Sequence, residues 1–104
     1  MELNTAKVGQ VIIMARELHR AEGELRAFID RFGVDEQAEL VALMWIGRGS
    51  FDVQELDEAI AMAQSEASTP TADYLIGTPH LADHLEAALD ALGVSAISLE
   101  NELM

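Results

Sequence analysis

A chain of 104 residues with 50% apolar and 24% charged side chains has room for one hydrophobic core and too much apolar content for disorder, so a single domain over residues 1–104 is expected. The absence of cysteine excludes disulfides, zinc–thiolate sites and thiol nucleophiles. A net charge of −13, with all six basic residues before position 49 and eleven acidic ones after it, repels phosphate backbones and anionic lipid, so neither nucleic acid nor a membrane surface is an expected partner.

Seven glycines and two prolines are few for a turn-rich β chain, and abundant alanine favours helix. No basic, apolar leader opens the sequence, and no apolar run approaches the roughly 20 residues that span a bilayer. The expected location is the cytoplasm.

The first helix should start at Asn4 or Thr5, either of which can cap it, and run to about Glu22. Val8, Val11, Ile12, Ala15, Leu18 and His19 share one face at 100° per residue and form the expected core stripe. Ile13 and Met14 point elsewhere, a second apolar surface for another element or another chain. Gly23 weakens the helix, and Leu25, Phe28, Ile29 and Phe32 give a short amphipathic segment ending at Gly33.

Asp35 is the next expected cap, with Glu36 and Glu39 following where the helix dipole favours negative charge. The run Leu40–Ile46 has no polar side chain, so this helix, over about residues 36–47, is apolar on every side and should form the centre of the core. Gly47 and Gly49 stop it. Asp52 and Glu55 have capping-box spacing and open a helix to about Ala67, with Val53, Leu56, Ile60, Ala63 and Ala67 as its apolar stripe. Ser68, Thr69 and Pro70 break the chain.

Thr71 caps a turn through Leu75, closed by Gly77. Thr78 and Pro79 then restart a helix with proline at its favoured first position. That helix should reach Leu92 on a stripe of Leu81, Leu85, Ala88, Leu89 and Leu92, with Gly93 as a left-handed cap. Residues 94–104 are expected to be a loosely attached C-terminal helix or tail. The fold class is therefore all-α: a small orthogonal or irregular bundle of about five helices round the 36–47 helix.

Two stretches, ELVALMWIGRG (Glu39–Gly49) and TADYLIGTPHLADHLEAAL (Thr71–Leu89), together with the acidic helix between them, resemble a bacterial family described as domain of unknown function 3775. The resemblance covers about residues 25–93 and rests on Trp45, Arg48, Gly49, Tyr74, Gly77, Thr78 and Pro79 in that order. It implies a shared fold and no activity, substrate or catalytic residue. The family more often has Leu and Tyr where this chain has His80 and His84.

Two sites suggest themselves. His80 and His84 stand one helical turn apart with Asp83 beside the latter, the spacing of a partial metal site, but no third ligand is identifiable and surface or boundary histidines are the simpler reading. Arg48, at a helix end between two glycines, either pairs with an acidic neighbour such as Asp52, Asp73 or Asp83, or binds an anion near Trp45 and Tyr74. Trp45 reads first as a core residue whose indole N–H needs a partner. No nucleophile elbow or phosphate loop is present, no acid–base pair stands out among 19 carboxylates, and no cofactor is expected.

The leading expectation is a non-enzymatic interaction or regulatory module that forms a homodimer through Ile13, Met14, Arg16 and Arg20 and engages a further protein partner. The alternative is an anion- or metal-binding protein with its site among Arg48, Trp45, Tyr74, His80 and His84.

Overall fold

A computed structural model of the chain describes residues 3–66 and 69–93. Six α-helices run in the order α1 Thr5–Arg16, α2 Leu18–Asp30, α3 Val34–Arg48, α4 Leu56–Ser65, α5 Thr71–Ile76 and α6 Leu81–Ala91, with a 3₁₀ turn at Val53–Glu55 before α4. Among the described residues there is no strand, and no helix is long and apolar enough to cross a membrane. The bundle is all-α, as the composition implied. The segment from Val94 to Met104 lies outside the described residues.

The expected central helix is central. Every residue of α3 from Ala38 to Ile46 is buried. α6 and α4 pack on it, α1 packs on α6 and α2, and α2 reaches α5. A helix apolar all round must be surrounded, and these neighbours surround it. It starts earlier than its acidic residues suggested, with Gly33 as cap. The Glu36 carboxylate accepts from the Gly33 N–H (3.1 Å), reaching back to the cap residue as the third helical residue of a capping box does, and Asp35 lies inside the helix rather than capping it. Gly49 closes α3 at φ +92°, a left-handed position that glycine adopts without strain.

Other boundaries differ from the expectation as well. The first helix ends at Arg16, and α2 begins at Leu18 and runs straight through Gly23. One straight helix from Thr5 to Asp30 would be about 39 Å long, beyond the molecule's 32 Å longest dimension. The break at Glu17 lets Val8, Val11 and Ile12 of α1 and Leu25 and Ile29 of α2 enter one core. It also leaves His19 exposed rather than on a buried stripe.

In α4 the buried residues are Ala59 and Ala63, while Leu56 and Ile60 are half-buried against the core. Ala63 belongs to the expected stripe, whereas Ala59 lies beside it and is buried more deeply than the larger Leu56 and Ile60. Helix α6 begins after His80, not at Pro79, because the Thr78 hydroxyl donates back to Tyr74 O (2.8 Å) instead of capping forward. His80 takes the left-handed conformation, φ 59° and ψ 33°, that the turn between Pro79 and α6 imposes.

Polar ties fix the N-terminal end to α3. The buried Glu39 carboxylate, 4% exposed, accepts from the Leu3 N–H at 2.8 Å. Lys7 Nζ meets Glu36 at 2.8 Å. That hydrogen bond, and then the one from the Gly33 N–H, hold the Glu36 carboxyl below its ordinary value. A carboxylate lowered on folding stabilises the fold above the ordinary carboxylate range, and this contribution is lost as pH falls through the folded value. Lys7→Met should therefore flatten the acid limb of a stability-versus-pH curve; an unchanged limb would show that the pair contributes nothing.

Gly23 sits inside α2 with open space where a Cβ would stand. Gly23→Ala is expected to raise stability by about 0.5–1 kcal/mol, since it removes backbone freedom from the unfolded chain without a clash. Chemical denaturation checks this, and a loss would mean that position 23 is not helical.

Candidate functional site

Trp45 and Tyr74 meet. The Trp45 indole Nε1 donates to Tyr74 Oη at 3.0 Å, which supplies the partner that a buried indole requires. The indole also stacks on Phe51, with centroids 5.8 Å apart and planes at 27°. Helix α5 carries Tyr74 and is set by buried Ala72 and Leu75, by an ion pair from Arg26 of α2 to Asp73, and by the Thr78–Tyr74 bond. The Asp73 hydrogen bond pushes the Arg26 guanidinium further above its already high value.

The two aromatics border a cleft of about 260 Å³ between α3, α4 and α5. Its apolar wall is Val34, Ala38 and Val41 of α3 with Ala63 of α4. Residues 34, 38, 41 and 45 follow the i, i+4, i+7, i+11 spacing of one helix face. Gln37, Gln64, Glu66, Thr69 and Thr71 supply polar groups. Val34 is 80% exposed and Tyr74 37%, while Trp45 is 7% exposed, so the cleft has a wet mouth and an aromatic base.

Arg48 is not part of it. The lined face of α3 runs from Trp45 toward the helix N-terminus, whereas Arg48 leaves the C-terminal end. Its Nε donates to Ser50 Oγ at 3.1 Å and the side chain stays exposed. It pairs with none of the three carboxylates expected for it among the described residues, since Asp73 is taken by Arg26. An anion bound beside Trp45 and Tyr74 would meet no arginine.

His80, Asp83 and His84 cluster at the start of α6 without converging. The imidazole centroids are 6.5 Å apart and nearly perpendicular, at 82°. His80 Nδ1 lies 3.9 Å from Asp83 Oδ2, and both side chains are 76% exposed. No group of three or more His, Asp or Glu side chains among the described residues could hold one metal ion. Two imidazoles, His80 exposed and His84 half-buried, give an incomplete shell, so zinc and nickel should bind no more tightly than micromolar. Stoichiometric submicromolar zinc binding that disappears in His80→Ala would reverse this.

Of the expected dimer residues, Ile13 is 44% exposed and Met14 is half-buried against the core. Arg16 is engaged within the chain by Glu86 of α6, and Arg20 is exposed on α2.

The residues that sequence reasoning missed are Val34, Gln37, Gln64, Glu66 and Thr71. Only the α3 face left a signal. Val34 immediately follows a glycine cap in phase with Ala38, Val41 and Trp45, and that phase was hidden because the whole helix is apolar.

A family described as "Protein of unknown function (DUF3775)" matches residues 22–94. That span holds α2 from Glu22 on, all of α3 to α6 and every described residue that borders the cleft, and leaves α1 outside it. Searches of the curated proteins and of the solved structures give no match. The chain belongs to the DUF3775 family.

Proposed function

We propose that this protein is a non-enzymatic binding module whose working surface is the Trp45–Tyr74 cleft. The observation that carries the proposal is a large apolar side chain, Val34, left 80% exposed at the lip of a cavity built on a hydrogen-bonded Trp–Tyr pair. Tryptophan and tyrosine are the residues most enriched at recognition sites, because each offers apolar area with a polar handle at little entropic cost. Among the described lining residues Glu66 is the one carboxylate and there is no imidazole, a poor basis for general acid–base work. Fragment mapping by two-dimensional NMR tests the reading. Hits should shift Val34, Val41, Trp45 and Tyr74 together, and hits that gather elsewhere, or nowhere, would remove the cleft from consideration.

A second reading, self-association through α1, is favoured by Ile13 at 44% exposure. Its charge support is weaker than the sequence suggested, because Arg16 is held by Glu86 of its own chain. In light scattering coupled to size exclusion, a dimer at tens of micromolar that Ile13→Glu dissociates supports this reading. A monomer defeats it.

A further inference from the structure

Several of the cleft's polar groups, Gln37, Gln64 and Glu66, offer oxygens that can accept hydrogen bonds from a cation. The amide nitrogen of Gln37 is committed to the carbonyls of Ile29 (3.3 Å) and Phe32 (3.1 Å), and that of Gln64 to Asp35 (3.4 Å). Gln37 is thereby left only its amide oxygen to offer a ligand, and Gln64 its amide oxygen and one N–H. Glu66 adds a carboxylate, and no Lys, Arg or His is among the described lining residues. No basic side chain pairs with Glu66 among the described residues.

The helix ends point the same way. Ala63, Gln64 and Glu66 come from the last turn and cap of α4, where unsatisfied carbonyls carry negative partial charge and no basic residue offsets them. The positive end of α3 also reaches the cleft, through Val34 and Gln37, but Asp35 in its first turn offsets it, while Glu36 there is paired with Lys7. Around this sits a chain with net charge −13, which raises the local concentration of cations. The remaining lining, Val34, Ala38, Val41 and Tyr74, suits an aliphatic stem and a flat π-faced head.

Resting on the reading of this cleft as a binding site, we infer that it takes an alkylguanidinium, the chemistry of an arginine side chain. The stem lies on Val34 and Val41, the guanidinium plane faces Tyr74, and its N–H fork meets Glu66. Guanidinium is favoured over ammonium because it stacks on aromatic faces and matches a carboxylate with two parallel donors. A cavity of about 260 Å³ equals roughly nine water volumes, enough for the heavy atoms of such a side chain. The source is either a free guanidino compound or an arginine presented by a partner protein.

Trp45, the chain's one tryptophan, reports on the site by fluorescence. The full chain is titrated at near-physiological salt with n-butylguanidinium and with a capped peptide holding one arginine among alanines. Neutral controls are n-butylurea and the matching citrulline peptide. Each guanidinium probe should saturate and bind about tenfold or more tightly than its urea counterpart. Glu66→Gln should abolish that preference, while Asp90→Asn, an exposed α6 residue with the same change in charge, should keep it. A tighter peptide would assign the arginine to a protein partner, and equal affinities would assign the site to a small molecule; both support the inference. Urea and guanidinium probes binding alike would overturn it while leaving the cleft a binding site. Equal losses in Glu66→Gln and Asp90→Asn would reduce the effect to bulk attraction and also overturn it. Absence of any binding overturns it too, and the NMR mapping then decides separately whether the cleft binds anything.

Discussion

Gly47→Ala is expected to lower stability by about 3 kcal/mol or more. A Cβ at position 47 would stand 1.6 Å from His84 O, 2.4 Å from His84 C and 3.0 Å from its Cα. These are backbone atoms of α6 and cannot swing aside as a side-chain tip could. Relief requires α3 and α6 to move apart, which opens the contact between the two helices that share most of the core. Overpacking costs typically about 1–3 kcal/mol when side chains can adjust, and a backbone-to-backbone collision belongs at or above the top of that range. The sign is diagnostic. Glycine to alanine in an unobstructed helix gains up to about 1 kcal/mol, as expected for Gly23, so a neutral or stabilised Gly47→Ala in thermal or denaturant unfolding would show that the helices do not cross here.

Leu85→Ala and Leu43→Ala should each cost about 2–5 kcal/mol. Both side chains are fully buried in the single core cluster, Leu43 on α3 and Leu85 on α6. Truncation removes apolar contact and leaves a cavity that helices pinned at Gly47 cannot readily close. In a chain of this size the loss corresponds to a fall in Tm of roughly 10–20 °C. Loss of less than about 1 kcal/mol at both positions in urea titrations would mean that the α3–α6 contact is not the core. The exposed Ile13 provides the contrast, since Ile13→Glu should leave monomer stability within about 0.5 kcal/mol.

The candidate site was only half legible. Trp45 and Tyr74 stood out by residue type and belong together. Arg48, His80 and His84 stood out equally and lie elsewhere. Nearness in sequence to a conspicuous aromatic says little about shared space: Arg48 is three residues from Trp45 on the same helix, yet the cleft extends from Trp45 toward the helix N-terminus, away from it. Glu66, by contrast, was one acid among 19, and only its place at the end of α4, on the cleft that Tyr74 also lines, gives it meaning.

What the sequence determined by itself was whatever one or two helical turns can decide. Asn4 caps α1 by accepting from the Ala6 N–H at 2.7 Å. The Asp52 N–H reaches Glu55 Oε1 at 2.8 Å, and Gly49 and Gly93 take positive φ. The unbroken apolar run from Leu40 to Ile46 made α3 the core. These follow from hydrogen bonds and periodicities that close within a few residues, so their energies do not depend on distant chain. Tertiary structure decided the rest: the break at Glu17, which no glycine or proline marks, the late start of α6 after His80, the burial of Ala59 more deeply than Leu56 and Ile60 on α4, and the cleft. Each is set by competition among helices for one limited core surface, and that competition involves residues tens of positions apart whose meeting no local pattern encodes.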